Sequence, residues 1–373
     1  MHFRPQNACI GSYAYTAAGP GDPGLPAGTG RLEDRGVITT REWQLAARPH
    51  GEPTPGDFRL VELERPDPTE GQVVVRMLAM SVDPYMRGRM RLGPSYAAPW
   101  EIGETMQGGA VGRVVESRSA DVPEGALVLT NAGWRDVAVL DAAHVFVLPD
   151  ADVPPSYHLG VLGMPGLTAW AGLFRVAGFR EGDAVFVSGA AGAVGSLVGQ
   201  FARLRGASRV VGSAGSPAKV QWLTGELGFD AAFDYHDGRV ADLLATAAPG
   251  GLDVLFDNVG GEHLEAALGA LHVHGRVAIC GAISQYNAIE PPPGPRNFGG
   301  LMVSKRLRVE GFLVGDHTDL RPQFAETVAG WLRSGDLVVR ETVREGLDQA
   351  VPAFLDLLRG GNTGKMIVRL SDG

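Results

Sequence analysis

A chain of 373 residues is long enough for about two domains, and at this length roughly three quarters of the unfolded surface is buried without covalent staples. Hydrophobic residues make up 45% and charged residues 20%, which excludes a wholly disordered or fibrous chain, and two cysteines, Cys9 and Cys280, exclude a disulfide scaffold. The formal charge of −9 repels a phosphate backbone, and no basic patch offsets it, so small-molecule chemistry is expected and nucleic acid is not.

The first 36 residues hold seven Gly and four Pro, a composition that predicts a disordered extension over 1–36. No apolar stretch in it suits a secretory signal, so a cytoplasmic address is expected. Domain-like patterning starts near Val37. Short strands are expected at 43–45, 58–63, 72–78, 109–115, 126–129 and 144–148, with Gly and Pro between them, the pattern of a compact β-rich, barrel-like domain. Near residue 160 the texture changes. Strands at 184–188, 209–213, 231–235, 253–257, 276–280 and 307–312 now alternate with helical stretches, which implies an α/β unit with a doubly wound parallel sheet. A last strand over 364–370 has no helix after it and is expected to return to the β-rich domain. The boundaries that follow are 161–317 for the parallel sheet and 37–160 with 318–373 for the β-rich domain.

The segment 184–202 carries no charge and has the length of a membrane span. Its glycines, Gly189, Gly192, Gly195 and Gly199, are too dense for one, and the run reads as a buried strand, a small-residue turn and a helix, with no membrane as partner. Such a turn lets a pyrophosphate approach the backbone and lie on the helix N-terminus, where unpaired N–H groups and the dipole favour negative charge. Gly192 and Gly195 take the second and third positions of G-x-G-x-x-G, and Ala190 stands at the first. At the end of the next strand, where an NAD site usually places an acidic residue on the ribose, the chain reads Ser213-Ala-Gly-Ser. Ser213, Ala214 and Ser216 leave room for a 2′-phosphate, and Lys219 follows to supply charge, which favours NADP(H).

Zinc chemistry needs a cluster of Cys and His ligands. Cys280 sits at a strand end and Cys9 in the extension, while His272 and His274 are neighbours expected in a loop before Gly275, as exposed turn residues. No metal is expected, so hydroxyls, amides or a cofactor must polarise a carbonyl and move protons.

Several strings together resemble one family: Ala190-Ala-Gly-Ala-Val-Gly-Ser, Ser81-Val-Asp-Pro-Tyr-Met-Arg-Gly-Arg-Met, Gly163-Met-Pro-Gly-Leu-Thr-Ala-Trp, Phe256-Asp-Asn-Val-Gly-Gly, Cys280-Gly-Ala-Ile-Ser-Gln-Tyr-Asn and Asn362-Thr-Gly-Lys. They resemble the zinc-independent medium-chain dehydrogenases/reductases, in the branch of prostaglandin reductase (leukotriene 12-hydroxydehydrogenase), curcumin reductase and plant double-bond reductases. The resemblance spans 38–370. It implies a Rossmann sheet inserted in a GroES-like barrel domain, a homodimer, and NADPH-dependent reduction of the C=C bond of α,β-unsaturated ketones and aldehydes. It further implies that Gly192, Ala193 and Val194 hold the pyrophosphate and that Ser213, Lys219 and Tyr235 surround the 2′-phosphate. Met164, Thr168, Phe312 and Val314 would frame the nicotinamide, and Asn258, Cys280 and Asn362 the rest of the cleft. Pro217 and Ala218 stand where the family often has an acidic pair.

Hydride delivery to a β-carbon leaves negative charge on the substrate oxygen, which needs a preorganised donor. Tyr286 lies in the loop after the fifth expected strand of the parallel sheet, at the end where open α/β sheets bind ligands. A phenol with an ordinary pKa of about 10 stays protonated at neutral pH and is able to donate. Tyr85, aimed toward the interdomain cleft by the Asp83-Pro84 turn, is the second candidate. Reduction of quinones with NADPH, and NADPH binding without catalysis by a sensor or structural subunit, remain alternatives.

Overall fold

The computed structural model describes residues 37–93, 95–149, 153–290 and 292–370. The expected extension over 1–36, with Cys9, lies outside the described residues. Among the described residues no helix is long and apolar enough to cross a membrane.

The chain opens with β1 (Val37–Leu45), paired antiparallel with β2 (Phe58–Pro66). Next come β3 (Gln72–Ser81), the short helix α1 (Met86–Arg89), β4 (Ala110–Ser117), β5 (Leu127–Thr130), β6 (Val137–Asp141) and β7 (Val145–Val147). α2 (Met164–Trp170) leads into the second lobe and runs on as a π-helix over Ala171–Val176. There β8 (Ala184–Val187), α3 (Gly195–Leu204), β9 (Arg209–Ala214), α4 (Pro217–Gly225), β10 (Ala231–Asp234), α5 (Val240–Ala247), β11 (Leu252–Asp257), α6 (Gly261–Ala270), β12 (Leu271–Ile279), α7 (Phe298–Lys305) and β13 (Arg308–Gly311) alternate. α8 (Arg321–Ser334), β14 (Glu341–Glu345), α9 (Ala350–Leu358) and β15 (Lys365–Arg369) close the chain.

β8 to β13 form a six-stranded sheet in the order β10-β9-β8-β11-β12-β13, parallel throughout. Counted from β8 this is 3-2-1-4-5-6, the doubly wound order whose crevice opens at the carboxyl ends of the first and fourth strands. Val185, Val187, Val254 and Phe256 are fully buried, as a strand covered by helices on both faces requires. β15 returns to pair antiparallel with β3 and parallel with β14, completing a mostly antiparallel seven-stranded sheet in the order β14-β15-β3-β4-β5-β7, with β6 paired to β3 off that path.

Two details depart from the sequence reading. Leu320, Phe324, Val328 and Leu337 pack in one apolar cluster with Trp170, Phe201 and Phe256, so α8 covers the parallel sheet beyond the boundary expected at 317. His272 and His274 fall within β12 rather than in a plain loop. The ladder skips them, passing from Leu252↔Leu271 to Val254↔Arg276, and His274 takes φ 70°. Both remain exposed, and His272 Nδ1 pairs with Asp253 Oδ1 at 2.9 Å.

Candidate functional site

The crevice is built on the turn from β8 to α3. Gly189 has φ 59°, so the left-handed residue that makes the sharp turn is Gly189 and not Ala190, the position the motif placed first. A Cβ on Gly195 would come within 2.5 Å of Gly189 O and 2.8 Å of Ala190 Cα, which makes it the close-packing glycine. A Cβ on Gly192 would meet no protein atom nearer than Gly189 O at 3.4 Å. The space above Gly192 is therefore open, and no side chain caps α3 behind Val194. With Ala193 between them, these residues fit a pyrophosphate that needs backbone approach and a helix N-terminus.

The turn is braced from both sides. Ser213 is fully buried and its Oγ accepts from Gly189 N at 3.3 Å, while its carbonyl accepts from Ala190 N. Ser213 thus holds the turn, and the expected open place for it beside a 2′-phosphate is corrected: its hydroxyl is shut in. Asp257, to which the sequence reading gave no role, has a fully buried carboxylate that accepts from Ser188 Oγ at 2.6 Å and from the amides of Val259 and Gly260 at 3.1 Å. Burial pushes its carboxyl pKa up, against these hydrogen bonds. Asn258 donates from its side chain to Ser188 O and from its backbone to Ser188 Oγ, each at 2.8 Å. The ends of β8 and β11 are locked together by this network, whose sequence signal is an Asp-Asn pair closing a buried strand.

At the end of β9 there is no carboxylate on Ser213, Ala214, Gly215 or Ser216. Ser216 caps α4, accepting from Lys219 N. The half-buried Lys219 ammonium donates to Gly360 O at 2.5 Å, and burial lowers its pKa. The Tyr235 hydroxyl lies over Gly215, 2.6 Å from where a Cβ would be. Lys219 and Tyr235 therefore stand beside one strand end, as a 2′-phosphate site requires. Tyr235 is backed by His263, edge to face at 5.4 Å between centroids. His263 is buried with Nε2 unpaired, and burial drives its pKa down to about 4.

Met164 opens α2 and is 39% exposed, and Thr168 Oγ1 donates back to Met164 O at 2.8 Å. Phe312 packs edge to face on Phe256 at 6.3 Å, and Val314 joins the same apolar cluster. Gly364 N donates to Ala191 O at 2.8 Å, and the buried Asn362 donates to Gly364 O at 2.7 Å. The C-terminal loop thereby forms a wall of the cradle.

Cys280 donates its amide to Asp257 O, and burial first, then the Asp257 charge, pushes its thiol up to about 12. Such a shift disfavours the thiolate. Tyr286 folds back over its own loop: its hydroxyl accepts from Ala282 N at 3.4 Å and lies 3.0 Å from the Cβ position of Gly281. Burial raises its pKa, so the phenol stays protonated at neutral pH. Tyr85 is half-buried against the β-rich core and immediately precedes α1. From that helix and the residues after it, Arg87 and Arg91 reach the backbone and side chains of 286–288, contacts that the sequence reading missed. Among the described residues, no three His, Cys, Asp or Glu side chains group to hold a metal ion.

Two family models match the chain, one described as the N-terminal domain of oxidoreductase over residues 41–148 and one as zinc-binding dehydrogenase over residues 193–330. An NADPH-dependent curcumin reductase of Escherichia coli (strain K12) is 42% identical over 335 residues, covering 89% of this chain and 97% of the relative. A 2-alkenal reductase (NADP(+)-dependent) of Nicotiana tabacum is 43% identical over 302 residues, 80% of this chain and 87% of the relative. Among solved structures, CurA of Vibrio vulnificus in complex with NADPH superposes with a TM-score of 0.85 at 40% identity, covering 89% of this chain and all of that one. With its 3-2-1-4-5-6 sheet, its glycine cradle and these relatives, the chain belongs to the medium-chain dehydrogenase/reductase superfamily.

Proposed function

We propose that this protein uses NADPH, without a metal, to reduce the C=C bond of α,β-unsaturated ketones and aldehydes. The observation that carries the reading is the Tyr286 phenol, its hydroxyl bonded by Ala282 N in the loop after β12 at the carboxyl edge of a sheet whose cradle suits a dinucleotide. Support for the 2′-phosphorylated form comes from Lys219 and Tyr235 beside a β9 end that lacks a carboxylate. The names of the curcumin and alkenal reductase relatives point the same way.

When bound in the crevice, NADPH would supply the hydride for the β-carbon. The residues of this chain do the rest. Gly192, Ala193 and Val194 seat the pyrophosphate, and Asn258, Cys280, Asn362, Phe312 and Val314 wall the crevice and exclude water from it. The Tyr286 hydroxyl donates to the substrate oxygen as negative charge develops there, or passes its proton on to the α-carbon. Tyr85, across the seam, is the second donor candidate.

The test is anaerobic NADPH consumption against enals, enones, curcuminoids and benzoquinones, with NADH as control, on the native protein and on Tyr286→Phe. The expected result is preferential turnover of enones and enals, reduced by Tyr286→Phe with NADPH binding nearly intact. Equal turnover by the variant removes the phenol from the mechanism. Preference for benzoquinones, or binding without oxidation against any acceptor, overturns the enone assignment. Light scattering on the same samples tests for the homodimer that the family resemblance implies.

A further inference from the structure

The seam between the lobes contains two arginines, Arg87 and Arg91, that pair with no carboxylate among the described residues. Arg87 is fully buried. Its Nε donates to Asn287 Oδ1 at 3.0 Å and its Nη2 to Gly51 O at 2.6 Å, while Nη1 finds no partner. Burial, helped by the charge of Arg91, pulls its pKa down to about 10, and the charge of Asp57 pulls the other way. Arg91 is on the exposed side, and its Nη2 donates to Tyr286 O at 2.6 Å and to Ala288 O at 2.8 Å. Three consecutive residues, Tyr286, Asn287 and Ala288, are thus gripped from the β-rich lobe across some 200 positions of sequence. Burying a guanidinium without a counter-charge is costly unless its hydrogen bonds are specific, so this arrangement needs a reason beyond stability.

We propose that Arg87 and Arg91 are positioning residues that latch the Tyr286 loop to the β-rich lobe and so set where the phenol meets the substrate. The latch starts two residues after Tyr85, which makes α1 a common support for both tyrosines. The inference rests on the role given to Tyr286 above. A displacement of about 1 Å at a reacting group costs up to about a hundredfold in rate, and this loop follows a short 3₁₀ turn, Ile283–Gln285, with little regular structure of its own to hold it.

The experiment compares native protein, Arg91→Ala, Asn287→Ala, Tyr286→Phe and the double variant Arg91→Ala/Tyr286→Phe. Because Arg91 is exposed, its substitution spares the fold even if Arg87 variants do not. Arg91→Ala is expected to lower kcat for an enone by about tenfold or more while the NADPH dissociation constant stays within about twofold. It is also expected to speed amide hydrogen exchange across 282–288, and its effect on kcat should vanish in the Tyr286→Phe background. Asn287→Ala should act in the same direction. Unchanged exchange, or an equal fold-loss of kcat in both backgrounds, overturns the latch. Full turnover by Tyr286→Phe alone overturns the donor role instead, and the exchange of 282–288 then decides the latch by itself.

Discussion

Asp83 and Lys365 form a buried ion pair, Oδ1 to Nζ 3.2 Å, that ties the turn leading to Tyr85 to the strand that follows Asn362. Lys365 also donates to Val82 O and Met366 O at 2.8 Å, and Asp83 accepts from Ser81 Oγ. Burial lowers the Lys365 pKa, and the Asp83 charge partly restores it. One wall of the crevice and one tyrosine are thereby fixed to a common point.

Removing one member of this pair leaves a charge buried alone. Lys365→Met is expected to reduce unfolding free energy by about 3–5 kcal/mol, whereas Asp83→Leu/Lys365→Met should recover much of that loss. Denaturant unfolding of the single and double variants measures both.

The two inner glycines of the cradle separate binding from folding. Gly192→Ala adds a methyl into open space, 3.4 Å from Gly189 O, so the melting temperature should hold while NADPH affinity drops. Gly195→Ala drives a Cβ to 2.5 Å from Gly189 O, which backbone must give way to, and the melting temperature should fall. Thermal scans and NADPH titration of both variants test the contrast.

Lys219→Ala removes the cation beside Tyr235. Hydrogen bonds to charged groups contribute about 1.5–3 kcal/mol, so NADPH affinity should weaken roughly ten- to hundredfold while NADH affinity stays near its native value. Fluorescence titration with both nucleotides decides it.

Burial of His263 is expected to make stability depend on pH. Its folded pKa, about 4, lies below the ordinary value near 6.5, so between these values the unfolded chain binds more protons. Stability is therefore fully present above pH 6.5 and is lost as pH falls toward 4. The loss is on the order of 3 kcal/mol. His263→Gln should remove most of it, as read from unfolding at pH 7 and pH 4.5.

Much of the architecture was legible because buried parallel strands announce themselves as short apolar runs: β8, β9, β11 and the end of β12 fall where Val, Phe and Ile cluster. β14 did not, since Glu341-Thr-Val-Arg-Glu is polar at four of its five positions and gains strand form from pairing with β15. β6 was missed although the shorter β5 and β7 were expected; its five residues pair with β3. At the crevice, glycine spacing disclosed the cradle because small residues are a local steric demand. Asp257, Arg87, Arg91 and the Asp83–Lys365 pair were not disclosed as working parts, because their partners lie far off in sequence and nothing local marks them. Ser213 erred for a related reason: a serine ending a strand reads as available, and only tertiary packing shows its hydroxyl turned inward to Gly189.

Most of the bonds described across the seam end on main-chain acceptors: Arg91 on Tyr286 O and Ala288 O, Lys219 on Gly360 O, and Gly364 N on Ala191 O. A carbonyl is supplied by every residue type, so the acceptor side of each bond survives almost any substitution. Side chains of these loops that have no role in the crevice or the latch can therefore be replaced without loosening the grip of the two halves on each other.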